Sequence, residues 1–256
     1  MSGTIDRKAQ ARAFRALHHG STPLVLPNAW DAGSAKAIQA AGAAAIATTS
    51  AGVSWSLGVE DGGGLSRPDA LDALRRIVAA ITVPLTADIE AGYGETPAEV
   101  ASTVAEVVDI GAVGINLEDS VNGSLLEATA QAARIAAARE AAVAAGLDLC
   151  INARTDTYLF GDGSGTLERA KLYAEAGADV LFVPGVTDPP TIQQLVARSP
   201  LPLNIMVGPG APSVPELTAL GVARISLGPA ISARAYALAT AATRESLTTG
   251  TYITLA

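Results

Sequence analysis

Three short runs hold the residues best suited to chemistry: Asp88-Ile89-Glu90, Asn116-Leu117-Glu118-Asp119 and Asn152-Ala153-Arg154-Thr155-Asp156. Each closes an apolar stretch. Carboxylates gathered in this way repel one another and raise one another's pKa unless a cation sits among them. The donors are all oxygens, with no histidine or cysteine beside them, a set that suits Mg2+, or Mn2+, rather than zinc. Arg154 would place a fork of N–H donors beside that ion, suited to a substrate carboxylate. The plainer alternatives are solvated loop acids, helix caps, and an Arg154 that only pairs with Asp156 or Glu118.

Other residue types narrow the choice. His18 and His19 precede the first apolar stretch, so histidine acid–base chemistry is not expected. Lys8, Lys36 and Lys171 are the lysines, and none closes an apolar stretch, which argues against a Schiff-base aldolase. Cys150 is the only cysteine, so there is no internal disulfide and no cysteine-rich zinc site, and a cytoplasmic address is the simple expectation. A net charge of −8 argues against a nucleic-acid partner, which would require clustered Lys and Arg. No basic amphipathic stretch suggests a membrane surface. The alanine-rich stretch 128–145 is interrupted by Gln131, Arg134, Arg139 and Glu140, and reads as an amphipathic helix rather than a membrane span.

One repeating unit must position these runs: an amphipathic helix ending at Gly, then a short apolar strand. Gly42, Gly111, Gly146, Gly177 and Gly221 each lead into such a strand, in keeping with the left-handed residue that often ends a helix. The expected strands are Leu24–Ala29, Ala44–Ser50, Leu85–Glu90, Gly114–Asp119, Leu149–Thr155, Val180–Gly185, Leu203–Gly208 and Arg224–Gly228. They lack polar alternation, as in a parallel sheet covered by helices. Helices are expected at 33–41, 68–81, 97–110, 127–145, 165–176, 189–198, 213–220 and 229–247. Pro97, Pro189 and Pro215 fall near helix starts, where a missing N–H costs little. Eight strands spaced by about 30 residues predict an α/β fold, a single-domain (β/α)8 TIM barrel over residues 1–256. Residues 1–20 form its N-terminal helix, not a secretory signal, and 229–256 its C-terminal helix and tail. A doubly wound open sheet is the competing layout.

The segments Pro27–Ala35, Thr48–Gly58, Ala87–Gly94, Gly114–Asp119 and Ile151–Asp156, with the Gly208-Pro209-Gly210 turn, resemble the isocitrate lyase/phosphoenolpyruvate mutase superfamily. The resemblance runs from about residue 20 to 240. It implies that Asp88 ligates Mg2+ directly and that Asp61, Glu90 and Glu118 hold metal-bound waters. It implies that Ser50, Ala51 and Gly52 meet a substrate carboxylate, partly through backbone N–H groups, with Arg154 on the same anion and Asn204 a further substrate contact. Arg154, Glu118 and Asp61 are then the residues expected to carry catalysis. The expected substrate is a small 2-oxo or 2-hydroxy acid that passes through an enolate. The resemblance also implies a homotetramer or homodimer, with the eighth helix packed on a neighbouring barrel.

One departure matters. The lyases of this superfamily carry a Lys-x-Cys-Gly-His motif after the Glu-Asp strand, whereas here Ser120-Val121-Asn122-Gly123-Ser124 follows. Cys150 lies inside a strand and cannot replace that cysteine. Cleavage of isocitrate or methylisocitrate by the usual route is therefore not expected. Decarboxylation of a 3-carboxy-2-oxo acid such as oxaloacetate needs mainly the metal, and fits better. P–C bond chemistry on phosphonopyruvate is the alternative, with Asn122 and Ser124 as partial lid residues; Tyr93 and Tyr158 are candidate proton donors. A reading of another class is a non-catalytic binding or sensor protein that kept the metal site and lost the lid. Gly208–Gly210 could bind phosphate or could simply be a tight turn.

Overall fold

The computed structural model describes residues 6–255. The first five residues of the expected N-terminal helix lie outside them. From Asp6, whose side chain caps the Lys8 and Ala9 N–H groups, helix α1 (Arg7–Ala16) runs into a 3-10 turn at Leu17–His19. The strand expected at 24–29 is present as two pieces, β1 (Leu24–Leu26) and β2 (Asn28–Ala29). Pro27 separates them because it has no N–H to donate, although its carbonyl still accepts from Ala47 N at 3.0 Å.

The chain continues through α2 (Ala32–Ala40), β3 (Ile46–Thr48), α3 (Ser50–Ser56), α4 (Arg67–Ala80), β4 (Leu85–Asp88), α5 (Pro97–Ile110) and β5 (Gly114–Glu118). A small hairpin, β6 (Ser120–Val121) with β7 (Ser124–Leu125), precedes α6 (Ala128–Ala144). Then follow β8 (Cys150–Arg154), α7 (Thr166–Glu175), β9 (Val180–Val183), α8 (Pro189–Arg198), β10 (Leu203–Met206), α9 (Val214–Ala219), β11 (Arg224–Ser226) and α10 (Ala230–Thr248). Local rules account for several helix starts. Asp31 with Ser34, and Thr96 with Glu99, form reciprocal capping boxes, and Pro97 and Pro189 open their helices.

All pairings in the nine-stranded sheet are parallel, in the order β1-β11-β10-β9-β8-β5-β4-β3-β2. Since β1 and β2 are halves of one strand, the two ends of this order meet, and the sheet is a nearly closed barrel with helices between its strands. The open-sheet layout is excluded. Asn28 stitches the seam, its Nδ2 donating to Thr48 O at 2.8 Å and its Oδ1 accepting from Leu227 N at 3.0 Å. Two elements were not foreseen. Helix α3 occupies what reads as a strand-end loop, and the β6–β7 hairpin turns on Asn122 and Gly123, both with positive φ, as a two-residue hairpin turn requires.

Strand stagger sets what shares a level inside the barrel. One register row joins Glu118, Arg154, Phe182, Asn204 and Arg224, from the last residue of β5 to the first of β11. Register partners share a face, so a single row descends from the C-terminal rim towards the barrel floor. From below, α1 closes that floor with Phe14, fully buried, whose ring meets His18 edge-on at 5.0 Å. A Cβ on Gly114 would come within 2.9 Å of Phe14, so the strand needs glycine there. We expect Phe14→Ala to cost about 3–5 kcal/mol, read as a lower urea midpoint at an unchanged m-value. A loss under about 1 kcal/mol would mean that α1 does not seal the barrel.

Candidate active site

The three acidic runs do converge at the C-terminal ends of β4, β5 and β8. Asp88 closes β4 and is held in place: Oδ2 accepts from Ser50 N at 3.0 Å, and Oδ1 from Asn116 Nδ2 at 2.9 Å. Arg154 closes β8 and pairs twice. Its Nη1 lies 2.8 Å from Glu118 Oε2, and its Nε and Nη2 form a fork onto Asp156 at 2.6 and 3.1 Å. Phe182 supplies a ring 5.9 Å from the guanidinium carbon. Arg154 therefore pairs with both acids, and it also lines the cavities beside them.

Two chambers meet at Ser50, Asp61 and Arg154, which line both. The outer one, about 500 Å3, is walled by Glu90, Tyr93, Glu118, the hairpin tip and Phe160. The inner one, about 180 Å3, runs from Asp88, Asn116 and Ala51 down to Ser226 and Arg224. Asp61 reaches the site from the glycine-rich loop, where Gly62 and Gly63 have positive φ. Among the described residues, positive φ outside glycine occurs at Glu90, Tyr93 and Asn122, all lining the outer chamber. Backbone strain is thus gathered at the site, as functional loops often require.

The electrostatics are those of crowded acids. Burial, then the charge of Asp88, raises the Asp61 carboxyl above its ordinary value. Burial, with Asp88 and Asp61, also raises Glu90, while the Tyr93 hydroxyl donating at 2.9 Å pulls it back. Glu118 is pushed up to about 8 by burial and its acidic neighbours, against the pull of Arg154. Burial works against the Arg154 charge, but Glu118 and Asp156 more than offset it and hold the guanidinium above its usual value.

Such a group of acids fits a divalent cation. Among the described residues no three His, Cys, Asp or Glu side chains are close enough to form a ready cage. Mg2+ does not require such a cage, since it keeps several waters and takes one or two carboxylates directly. Asp88 would be the direct carboxylate, with Asp61, Glu90 and Glu118 around it.

Other expected residues fall as follows. Ser50 and Ala51 line the inner chamber at the first turn of α3, whereas Gly52 packs on Thr49, Trp30 and Ser232 with no room for a Cβ. Asn204 is fully buried; its Oδ1 accepts from Ser226 Oγ at 3.1 Å and its Nδ2 has no partner. Tyr158 packs over Gly163, outside both chamber linings. The Gly208–Gly210 segment is a turn, closed by Ala211 N donating to Gly208 O at 3.1 Å. The Cys150 thiol is buried and pushed up to about 12, unsuited to acid–base work.

Sequence reading missed the groups that hold the site. Asp119, fully buried, accepts from Asp156 N (2.9 Å), Tyr173 OH (2.7 Å) and Arg169 Nη1 (3.0 Å). Ser120 Oγ donates to Asp156 Oδ2 at 2.5 Å. Gln131 and Arg134, which read as the polar face of α6, are buried: Gln131 donates to Glu118 O, and Arg134 to the carbonyls of Ala91, Gly94 and Glu95. The available signals were the second acid of the Glu118-Asp119 pair and charged residues within an alanine-rich helix.

The fold and the site together define a class: a (β/α)8 barrel with an acid-rich, arginine-anchored site at the C-terminal ends of its strands, where barrel chemistry sits. The family model described as phosphoenolpyruvate phosphomutase matches residues 14–247. The 2-methylisocitrate lyase of Escherichia coli K12 is 32% identical over 202 residues, 75% of this chain and 68% of that protein. A structure from Burkholderia cenocepacia J2315, provisionally described as a phosphonomutase, is 45% identical, with a TM-score of 0.90 over 93% of this chain and 99% of that one. Oxaloacetate acetylhydrolase, solved with its product oxalate, is 27% identical, with a TM-score of 0.87 over 95% and 88%. The chain belongs to the phosphoenolpyruvate mutase/isocitrate lyase superfamily, whose members are lyases and phosphonomutases. No helix among the described residues is long and apolar enough to cross a membrane.

The raised carboxyls have a thermodynamic consequence. A folded-state pKa above the unfolded one means that the folded protein keeps protons the unfolded chain has released. That stability is present below the ordinary carboxylate range and is lost as pH rises towards about 8. In chelator, the melting temperature should fall between pH 5 and pH 8, and Glu118→Gln should flatten the fall. Parallel curves for the two proteins would refute an uncompensated charge at Glu118.

Proposed function

We propose that this protein is a Mg2+-dependent lyase that cleaves a C–C bond of a small 2-oxo or 2-hydroxy carboxylic acid through an enolate. The observation that carries this reading is Arg154, held between Glu118 and Asp156 and lining the same cavity as Asp88. Mg2+, when bound, supplies a Lewis acid for the substrate's 2-oxo oxygen. Arg154 binds the substrate carboxylate, with the first-turn N–H groups of α3 at Ala51 and Gly52, which have no partner inside the helix. Ser50 N is committed to Asp88 and aims that carboxylate. Glu90, braced by Tyr93, and Asp61 and Glu118 would help hold the ion through its waters. The short β6–β7 hairpin carries no cysteine, so oxaloacetate-like decarboxylation, which needs little acid–base help, fits best.

The 45% identity to the B. cenocepacia structure favours one second reading, P–C bond chemistry on phosphonopyruvate. Phosphate release, or phosphoenolpyruvate formed from phosphonopyruvate, would select it over pyruvate formed from oxaloacetate. We also propose one domain over residues 1–256, a cytoplasmic address, and a homotetramer or homodimer in which α10 packs on a neighbouring barrel. Exposed Tyr236, Leu238 and Leu247 on that helix support the assembly, and a monomer by light scattering at micromolar concentration would refute it.

Calorimetric titration with oxalate, a planar mimic of enolpyruvate, tests the main reading. Binding should require Mg2+ and weaken more than about 100-fold in Asp88→Ala, beyond the roughly 10–100-fold typical of an outer-shell partner. Oxalate binding that ignores Mg2+ or Asp88 would refute it.

A further inference from the structure

The floor of the inner chamber is a guanidinium with no counter-ion. Arg224 opens β11, is 2% exposed, and lines the chamber with Thr86, Ser226 and Met206. Its Nε and Nη1 have no hydrogen-bond partner, and among the described residues no carboxylate lies within ion-pairing distance of it. Its titratable neighbours do not supply a charge. Burial holds the Cys150 thiol up near 12, and burial with Arg224 itself pushes His18 down to about 3, so both are neutral at pH 7. The charge of Asp88 does act on Arg224, but not within ion-pairing distance, and the lyase reading assigns that carboxylate to Mg2+.

A buried, unpaired cation is costly, and one partner of a pair left alone is the costly case. Water in the chamber would satisfy the N–H groups but leave the charge uncompensated. The other unpartnered side-chain atom among the described residues that line the chamber, Thr86 Oγ1, can donate as well. The chamber's surplus is therefore of donors, which fits an anion. At about 180 Å3 it has room for on the order of six waters, comparable with a four-carbon dicarboxylate.

Resting on the lyase reading above, we infer that Arg224 binds a second carboxylate of the substrate, at the end remote from Arg154, so that the protein selects a dianion of about four carbons. Arg154 and Arg224 lie on one register row, the first at the C-terminal rim and the second a strand-length deeper, and both line the inner chamber.

The test is calorimetry in Mg2+ with 3,3-difluorooxaloacetate, which has a carboxylate at both ends, against 3,3-difluoropyruvate, which has one. The wild type should bind the dianion more tightly by about 10- to 100-fold, the range for a hydrogen-bonded charged group. Arg224→Met should reduce that preference to within about threefold while leaving oxalate binding unchanged and raising the ligand-free melting temperature. Should that variant fail to fold, Arg224→Lys, which keeps the charge and loses the fork, should show an intermediate preference. A preference as large as the wild type's in Arg224→Met, or in Arg224→Lys where the first variant does not fold, overturns the inference alone. Loss of oxalate binding in the wild type overturns the lyase reading as well. If added bromide stabilises the wild type but not Arg224→Met, and the dianion preference persists in the variant, the site takes a free anion and the substrate role is overturned.

Discussion

Arg154 is the cation within a group of five carboxylates, and the geometry of the candidate site depends on keeping it there. Its fork onto Asp156 sets the plane of the guanidinium, and the remaining nitrogen reaches Glu118. Two pairings fix both its position and its charge, because in a buried site the loss of either acid would leave the other charges unbalanced. Asp119 then fixes Asp156 through its backbone N–H, while Arg169 and Tyr173 fix Asp119. The chain of support runs from helix α7, outside the barrel, to the rim of β8.

The same arrangement explains why the acids alone are not at ease. Asp61, Glu90 and Glu118 all have raised carboxyls, and burial heads the cause in each. One arginine cannot balance them and serve a substrate anion too. A divalent cation beside Asp88 would relieve the repulsion and leave Arg154 free to face the chamber. At the opposite end of that chamber, Arg224 presents the reverse imbalance, a positive charge with no partner. The interior is polarised along its length, which is expected of a site shaped around a ligand rather than for the stability of the empty protein.

Much of this was legible in the residues. The repeated helix–Gly–strand unit predicted the barrel, because short apolar strands without polar alternation have to be covered on both faces. The strand ends predicted Asp88, Glu90, Glu118 and Arg154, because polar groups at the end of an apolar strand meet solvent or ligand at the rim. Other residues misled. Gln131 and Arg134 look like the solvent face of an alanine-rich helix, yet they turn inward to main-chain carbonyls of the site loops. Helix α3 was hidden because Ser-Ala-Gly-Val-Ser has weak helical propensity and gains its place from packing, with Gly52 against Trp30 and Ser232.

The amino-acid sequence by itself determined the period of the chain, the residue types at each strand end, and the local caps that start helices at Asp31, Thr96 and Pro189. These depend on neighbours within a few residues, and the chain carries that information directly. Only the tertiary structure decided which groups meet. Strand stagger placed Arg224, near one end of the chain, on the same row as Arg154 and Glu118, and closure at Pro27 and Asn28 joined the first strand to the last. Register is a property of paired strands, set when their apolar faces are buried together, and no single strand contains it.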